Sequence, residues 1–277
     1  MKLLWITQIL AIIRLELGKS FFSKRAWWIY ALASFPLLIF GGHSIDMIRR
    51  HRPCDFGQDM NIFATIFQLL DLRAVVFFGC LGIFMNLFRG EQLDRSLHYY
   101  FLAPVRREVL VIGKYFAGLL AAMVIFTTSV ALQWTAMQLH FPSSTIMTYL
   151  RDGHGWSHVA SYAAATMLGC VGYGSVFMLA GAMFKNPIIP AAVVALWEGI
   201  NPFLPGVLQK FSVIYYLKSL CPIEADANIE PPFSMLVVNA DPISPAIAIF
   251  GMLAFTALVL VVAALQVRRM EINYGTE

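Results

Sequence analysis

Residues 89–114 read RGEQLDRSLHYYFLAPVRREVLVIGK. This strip stands between two of the most apolar runs of the chain, AVVFFGCLGIFMNLF (74–88) and YFAGLLAAMVIF (115–126). A run of charge set between such segments marks a place where a lipid-embedded chain surfaces and turns back. The composition agrees. The chain has 277 residues, of which 59% are hydrophobic and 13% charged, and its mean hydropathy is +0.69. Soluble domains carry about 25% charge, so a water-facing surface is excluded and an integral membrane protein is read. The net charge of +4 is small, and no basic run is long enough to hold nucleic acid. The N-terminal apolar stretch is broken by Arg14 and Glu16 and lacks a small-residue cleavage site, so a removed signal peptide is not expected.

A bilayer core needs about 20 apolar residues in a helix. Six stretches qualify: 26–42, 66–88, 111–138, 159–184, one beginning at Ile188, and 244–266. Open-ended segments can satisfy their backbone in lipid only as helices. The expected fold is therefore an all-α integral membrane protein with six transmembrane helices. Residues 1–25 form a separate element. Leu3, Leu4, Ile6, Leu10, Ile13 and Leu17 approximate one helical face, which suits a helix lying in the cytoplasmic interface. Residues 26–277 make the six-span domain, with a cytoplasmic segment at 89–110 and an external one at 206–243. The external segment is too apolar for an ordinary loop and contains Pro222, Pro231, Pro232 and Pro242. Short re-entrant helices before the last span fit it.

Basic residues set the orientation. With six spans, one side collects 13 of the 20 Lys and Arg, including Lys2, Arg14, Lys19, Arg89, Arg106, Arg107, Lys114, Arg268 and Arg269. Both termini and the charged strip are therefore placed in the cytoplasm. Arg49, Arg50 and Arg52 run against this rule.

Several polar residues are candidates for function. Asp71 and Arg73 lie near the outer end of the second span, and Glu198 lies ten residues into the fifth. Charges at membrane depth are functional suspects. Asp71 and Arg73 are two apart and do not face each other on a helix. Glu198 precedes Gly199 and Pro202, which break a helix. It can line a translocation path or gate, or cap the end of a short span. His154 and His158 are four apart, but Gly153 and Gly155 favour a loop over a metal pair. Cys54 and Cys221 fall on the same external side, open either to a disulfide or to free thiols. Gly18-Lys19-Ser20 lacks the glycine a phosphate-binding loop needs five positions earlier, where Ile13 stands. Ser161, Ala165 and Gly169, four apart, let helices pack closely, within the chain or across a dimer seam.

Within the strip, Gln92 to Tyr100 can make about two helical turns. Pro104 disfavours helix at Ala103. The residues alone allow a short helix across the ends of two spans, or a solvated loop. The strip resembles the corresponding segment of type-2 ATP-binding-cassette (ABC) exporter permeases, which follows the pattern E-R-E-x-G-T-L-E-x-L-L-x-x-P before a G-K at the next span. Glu91, Ser96, Leu97, Pro104 and Gly113-Lys114 match, while Arg95 and His98 depart. Six spans, the N-terminal helix and the segment before the last span extend the resemblance over nearly the whole chain.

The resemblance implies a permease subunit without ATPase activity and with no cofactor of its own, ATP and Mg²⁺ belonging to a partner. Its partners would be an ABC ATP-binding subunit, a second permease copy (identical or related) and membrane lipid, in a bacterial inner membrane. Glu91, Gln92, Asp94, Arg95, Ser96 and Leu97 would make the ATPase-coupling contact. Rival readings are an integral membrane enzyme or scaffold, and a self-contained secondary carrier. The enzyme would need a dense polar set at one depth, and the carrier internal repeats; neither is visible in the sequence.

Overall fold

The structure, a computed structural model, describes residues 2–23, 26–51, 55–93, 102, 105–184, 186, 188–225 and 243–269. These residues are helical, with no strand among them. Five helices are long and apolar enough to cross a membrane, which makes the chain an all-α, multi-pass membrane protein. They are α2 (Ala26–Arg50), the continuous run from Phe56 to Leu93, α5 (Arg107–Met137), α7 (Gly155–Met183) and α11 (Pro245–Arg269). The run from Phe56 consists of α3 (Phe56–Ile66), a π-helical segment (Phe67–Val75) and α4 (Val76–Leu93). α1 (Lys2–Phe22) precedes these spans, and α6 (Ser143–Arg151) sits between α5 and α7.

The fifth apolar stretch is shorter. α8 (Ile188–Ile200) has 13 residues, about 20 Å at 1.5 Å per residue, against a hydrocarbon core of about 30 Å. A 3₁₀ turn (Asn201–Phe203), α9 (Gly206–Gln209) and α10 (Val213–Lys218) follow it. The apolar segment 206–243 thus contains short helices in its described part, while 226–242 lies outside the described residues.

Helix ends differ from the hydropathy estimate where local chemistry overrides it. The second long helix begins ten residues earlier than its apolar run. Asp55 caps it, its Oδ1 accepting from Gly57 N at 3.1 Å, and the rings of Phe56 and Phe63 pack on Phe141, Tyr149, Phe40 and Tyr162. α2 runs eight residues beyond Gly42, because Ser44 is buried against the end of α5, donating to Ala136 O at 2.6 Å.

α5 and α7 form the centre of the bundle. α7 packs on α4, α5 and α11, and it can do so because its facing residues are small. At Gly181 an added Cβ would come within 2.9 Å of Met85 Cα; backbone lies there, so α4 and α7 touch main chain to main chain. Gly169 faces Val76 and Leu217, and Ala165 is buried, so the four-residue spacing of small side chains serves packing within the chain. α2 and α11 flank this centre and keep broad apolar faces exposed, among them Phe35, Leu38, Phe250 and Leu258.

α1 and the last turn of α11 lie at one end of the bundle. α1 packs along α5, with Ile12 against Gly113, and Trp5 lies under the Arg106 guanidinium, 5.1 Å from the ring centroid. Arg107, at the start of α5, donates to Val267 O (3.2 Å) and Arg268 O (2.9 Å), the last carbonyls of α11. A cation there satisfies orphan acceptors and opposes the helix dipole. α7 ends at this near end, beside Met85, whereas α11 reaches it from the far end. Between them, α8 follows α7 from the near end, α10 lies against Gly169 through Leu217, and Ile223 O accepts from Gln68 Nε2 at 2.8 Å.

Candidate functional site

The base of the charged strip is an ion cluster. Lys114, about two turns into α5, is fully buried. Its ammonium donates to Glu91 Oε1 (2.7 Å) on α4, Glu16 Oε1 (2.8 Å) on α1, and Leu87 O (2.9 Å). An ammonium has three N–H donors, and all three are used. It also lies 5.5 Å from the centroid of the Phe88 ring. Lys19, half exposed, stands 3.4 Å from both carboxylates. Two acids and two lysines thus cancel at the junction of α1, α4 and α5. Burial pushes the Glu16 carboxyl up, but the Lys114 and Lys19 ammoniums outweigh it and hold the group below its ordinary value.

This cluster decides which face of α1 is buried. Ile6 and Leu10 are exposed, whereas Ile12 and Glu16 are buried. The docked face is the one that brings a carboxylate to Lys114, and it is rotated from the greasiest face that the sequence suggests.

Of the residues expected in the coupling contact, Glu91 is 6% exposed and turned into the bundle, and Gln92 lies in the last turn of α4. Asp94, Arg95, Ser96 and Leu97 lie outside the described residues. The helix entering the strip is α4 itself, continuous through Leu93.

The suspected path residues separate into two contacts. Asp71 is buried in the π-helical segment, where the wider turn is marked by Val76 N reaching back to Asp71 O. Its Oδ1 accepts from Gln133 Nε2 at 2.8 Å, and that amide also donates to Ser129 Oγ at 3.0 Å. Ser129 in turn donates to Ala33 O, so the chain of bonds links the second long helix, α5 and α2. Arg73 points elsewhere and interacts electrostatically with Glu198 and Tyr173.

Glu198, 6% exposed, joins α8 to α10. Its carboxylate accepts from Ser212 Oγ (2.6 Å), Val213 N (2.9 Å) and Ile214 N (3.2 Å). It thereby caps the first turn of α10 from the end of α8. A short helix begins with unsatisfied N–H groups, and an acidic acceptor is favoured there. An apolar cleft of about 320 Å³ opens beside it, lined by residues including Trp197, Val213 and Phe255.

The far end differs from the sequence expectation. His158 is in the first turn of α7, and its Nδ1 lies 2.6 Å from Tyr149 Oη. His154 sits before that helix with φ 61°, so the two histidines are not on one helical face. The cluster that does form there unites His43 on α2, Asp59 on α3 and His140 just past α5. Sequence reasoning missed it because 16 and 81 residues separate its members; the only local signal is a histidine or acid at three span ends. Cys221 is partly buried, its Sγ 3.5 Å from Leu217 O, while Cys54 lies outside the described residues. Compared with known proteins, the chain matches no family model and no curated protein.

Proposed function

We propose that this chain is the transmembrane permease subunit of an ATP-driven ABC exporter. Two copies, identical or related, enclose the translocation path, and a separate ATP-binding subunit, which binds ATP and Mg²⁺, works it from the cytoplasm. The chain crosses a bacterial inner membrane six times, counting 188–223 as a crossing in two pieces, with both termini in the cytoplasm.

The observation that carries this reading is the lysine-locked junction. Glu91 and Lys114 stand at the two ends of the stretch that resembles the permease pattern, and they are in contact at 2.7 Å. α1 is bound to the same pair through Glu16. A cytoplasmic segment rooted in such a junction transmits a push as a rigid body, because yielding would pull buried charges apart. Glu91 then anchors the lever, and Asp94, Arg95, Ser96 and Leu97 form the surface that the ATPase grips. Glu198 and Arg73 hold the hinge between α8 and α10. The clustering of termini at one end supports an even number of crossings.

The test is co-expression with an ABC ATP-binding subunit, followed by purification in detergent and reconstitution. The expected result is a stable complex whose ATPase activity depends on the permease. The pair Asp94→Lys and Arg95→Glu should uncouple hydrolysis from transport while leaving the permease folded. Transport by the purified chain with no ATPase present, or unchanged coupling in the double variant, overturns the reading.

A further inference from the structure

We propose that His43, Asp59 and His140 form a binding site for one divalent transition-metal ion of the zinc class, which clips the far ends of α2, α3 and α5 together. The site is independent of the exporter reading. Three donor atoms, one from each side chain, lie within 4.8 Å of one another. His43 Nε2 is 3.4 Å from Asp59 Oδ2, and His140 Nε2 is 2.9 Å from the same oxygen. Zinc–ligand bonds of about 2.0–2.1 Å give a tetrahedral edge of about 3.3 Å between donors. Two edges of the cluster, 3.4 and 2.9 Å, thus lie within a few tenths of an ångström of that value, and the third is no longer than 4.8 Å.

The surroundings of His140 argue that a cation belongs between these atoms. Ser44 Oγ lies 2.6 Å from Ala136 O, which can only accept, so the hydroxyl proton is directed there. The same Oγ is 3.1 Å from His140 Nδ1. With its proton committed to the carbonyl, Ser44 can only accept from Nδ1–H. The hydrogen-bond network thus places a proton on Nδ1 and leaves Nε2 as the atom that faces the cluster. Nε2 lies 2.9 Å from a carboxylate oxygen, and no aligned hydrogen bond satisfies the buried nitrogen. A cation between the two atoms, a metal ion in place of a poorly aligned proton, satisfies both. An imidazole whose second nitrogen is fixed by a hydrogen bond is also the usual state of a histidine ligand.

The donor set selects the ion. Two imidazole nitrogens and one carboxylate oxygen suit zinc and its neighbours. Magnesium and calcium take oxygen ligands. The His140 and Asp59 side chains are 2% and 6% exposed, but that of His43 is 27% exposed. The fourth position thus faces the open side, next to His43, where water enters. Charge can also balance. Asp59 offsets one of the two positive charges of the ion, and hydroxide in the remaining position would make the complex neutral. The three ligands come from α2, α3 and the segment just past α5, so the ion would add a bond to span ends already joined by the Ser44 hydrogen bonds.

The experiment uses the full chain, purified in detergent, stripped with EDTA and desalted. Zinc is titrated calorimetrically, and bound metal is counted by mass spectrometry after a second desalting. Wild type should retain one zinc per chain and melt at a higher temperature with zinc than without it. Cobalt(II) should give the intense visible bands of a tetrahedral site. His140→Ala and Asp59→Asn should lose the retained zinc, and Ser44→Ala should weaken binding by about 10–100-fold. His43→Gln, altering the most exposed ligand, serves as the informative variant if the buried ones do not fold. The double variant His154→Ala, His158→Ala should bind as wild type does. No zinc retained by wild type, showing that a proton rather than a metal bridges His140 and Asp59, would overturn the proposal. So would a His43→Gln protein that binds zinc with undiminished affinity.

Discussion

Lys114 is a charge placed where lipid-embedded chains seldom tolerate one, and it is tolerated because two carboxylates from other helices meet it. Removing it leaves Glu16 and Glu91 buried and facing each other. Breaking a buried pair from one side costs about 3–5 kcal/mol. Lys114→Met should therefore lower the unfolding midpoint in detergent strongly, and the triple variant with Glu16→Gln and Glu91→Gln should recover much of the loss. Equal midpoints for Lys114→Met and wild type would show that the cluster holds nothing together. Glu91 and Lys114 are both visible in the sequence as members of one charged strip. Their contact is not visible, and Glu16 lies 98 residues away from Lys114. Ion pairs in a membrane protein are written in tertiary structure, and a charge in a hydropathy window looks the same whether it is paired or solvated. Asp71 shows the same limit: its partner Gln133, 62 residues away, came only with the packing.

At the scale of elements, the closest approach is the crossing of α4 and α7 at Gly181. Gly181→Ala sets a methyl against the Met85 backbone, which cannot rotate away as a side chain can. Overpacking of this kind costs about 1–3 kcal/mol, so the variant should melt at a lower temperature than Gly199→Ala, where nothing lies within 4 Å. A thermal melt of the two variants side by side checks the order, and a Gly181→Ala protein as stable as Gly199→Ala contradicts the main-chain contact. The long spans were readable because twenty or so apolar residues have few alternatives. Their ends were less so, since caps and aromatic contacts extend a helix past its apolar run, as Asp55 and Phe56 do. The fifth stretch was misjudged in length for the opposite reason. "IIPAAVVALWEGINPFLPG" is apolar throughout, but Pro202 and the bond from Glu198 to α10 end the helix early.

For the whole molecule, the decisive arrangement is that α1 and the last turn of α11 share one end of the bundle while α6 occupies the other. In spheroplasts of a strain carrying variants stripped of native cysteines, a membrane-impermeant maleimide should label Met147→Cys directly. Gly18→Cys and Arg269→Cys should react only after permeabilisation. Opposite behaviour of positions 18 and 269 would mean an odd number of crossings and would end the six-passage topology. The class of the molecule was legible from composition. The course of 188–223 was not, because the stretch reads as a span followed by a loop until the contacts of Leu217 with Gly169 and of Ile223 with Gln68 place it against the bundle.

The π-helical segment at Phe67–Val75 has one more consequence. A wide turn stores residues that a tighter turn would release, and each residue transferred rotates the helix beyond it by about 100°. The rod that carries Glu91 at one tip and Asp59 at the other is thus a screw with slack in its thread. Slack drawn from this turn would appear as twist at the Asp59 tip, and the fully buried Phe63, Phe67 and Leu72 would have to repack with it.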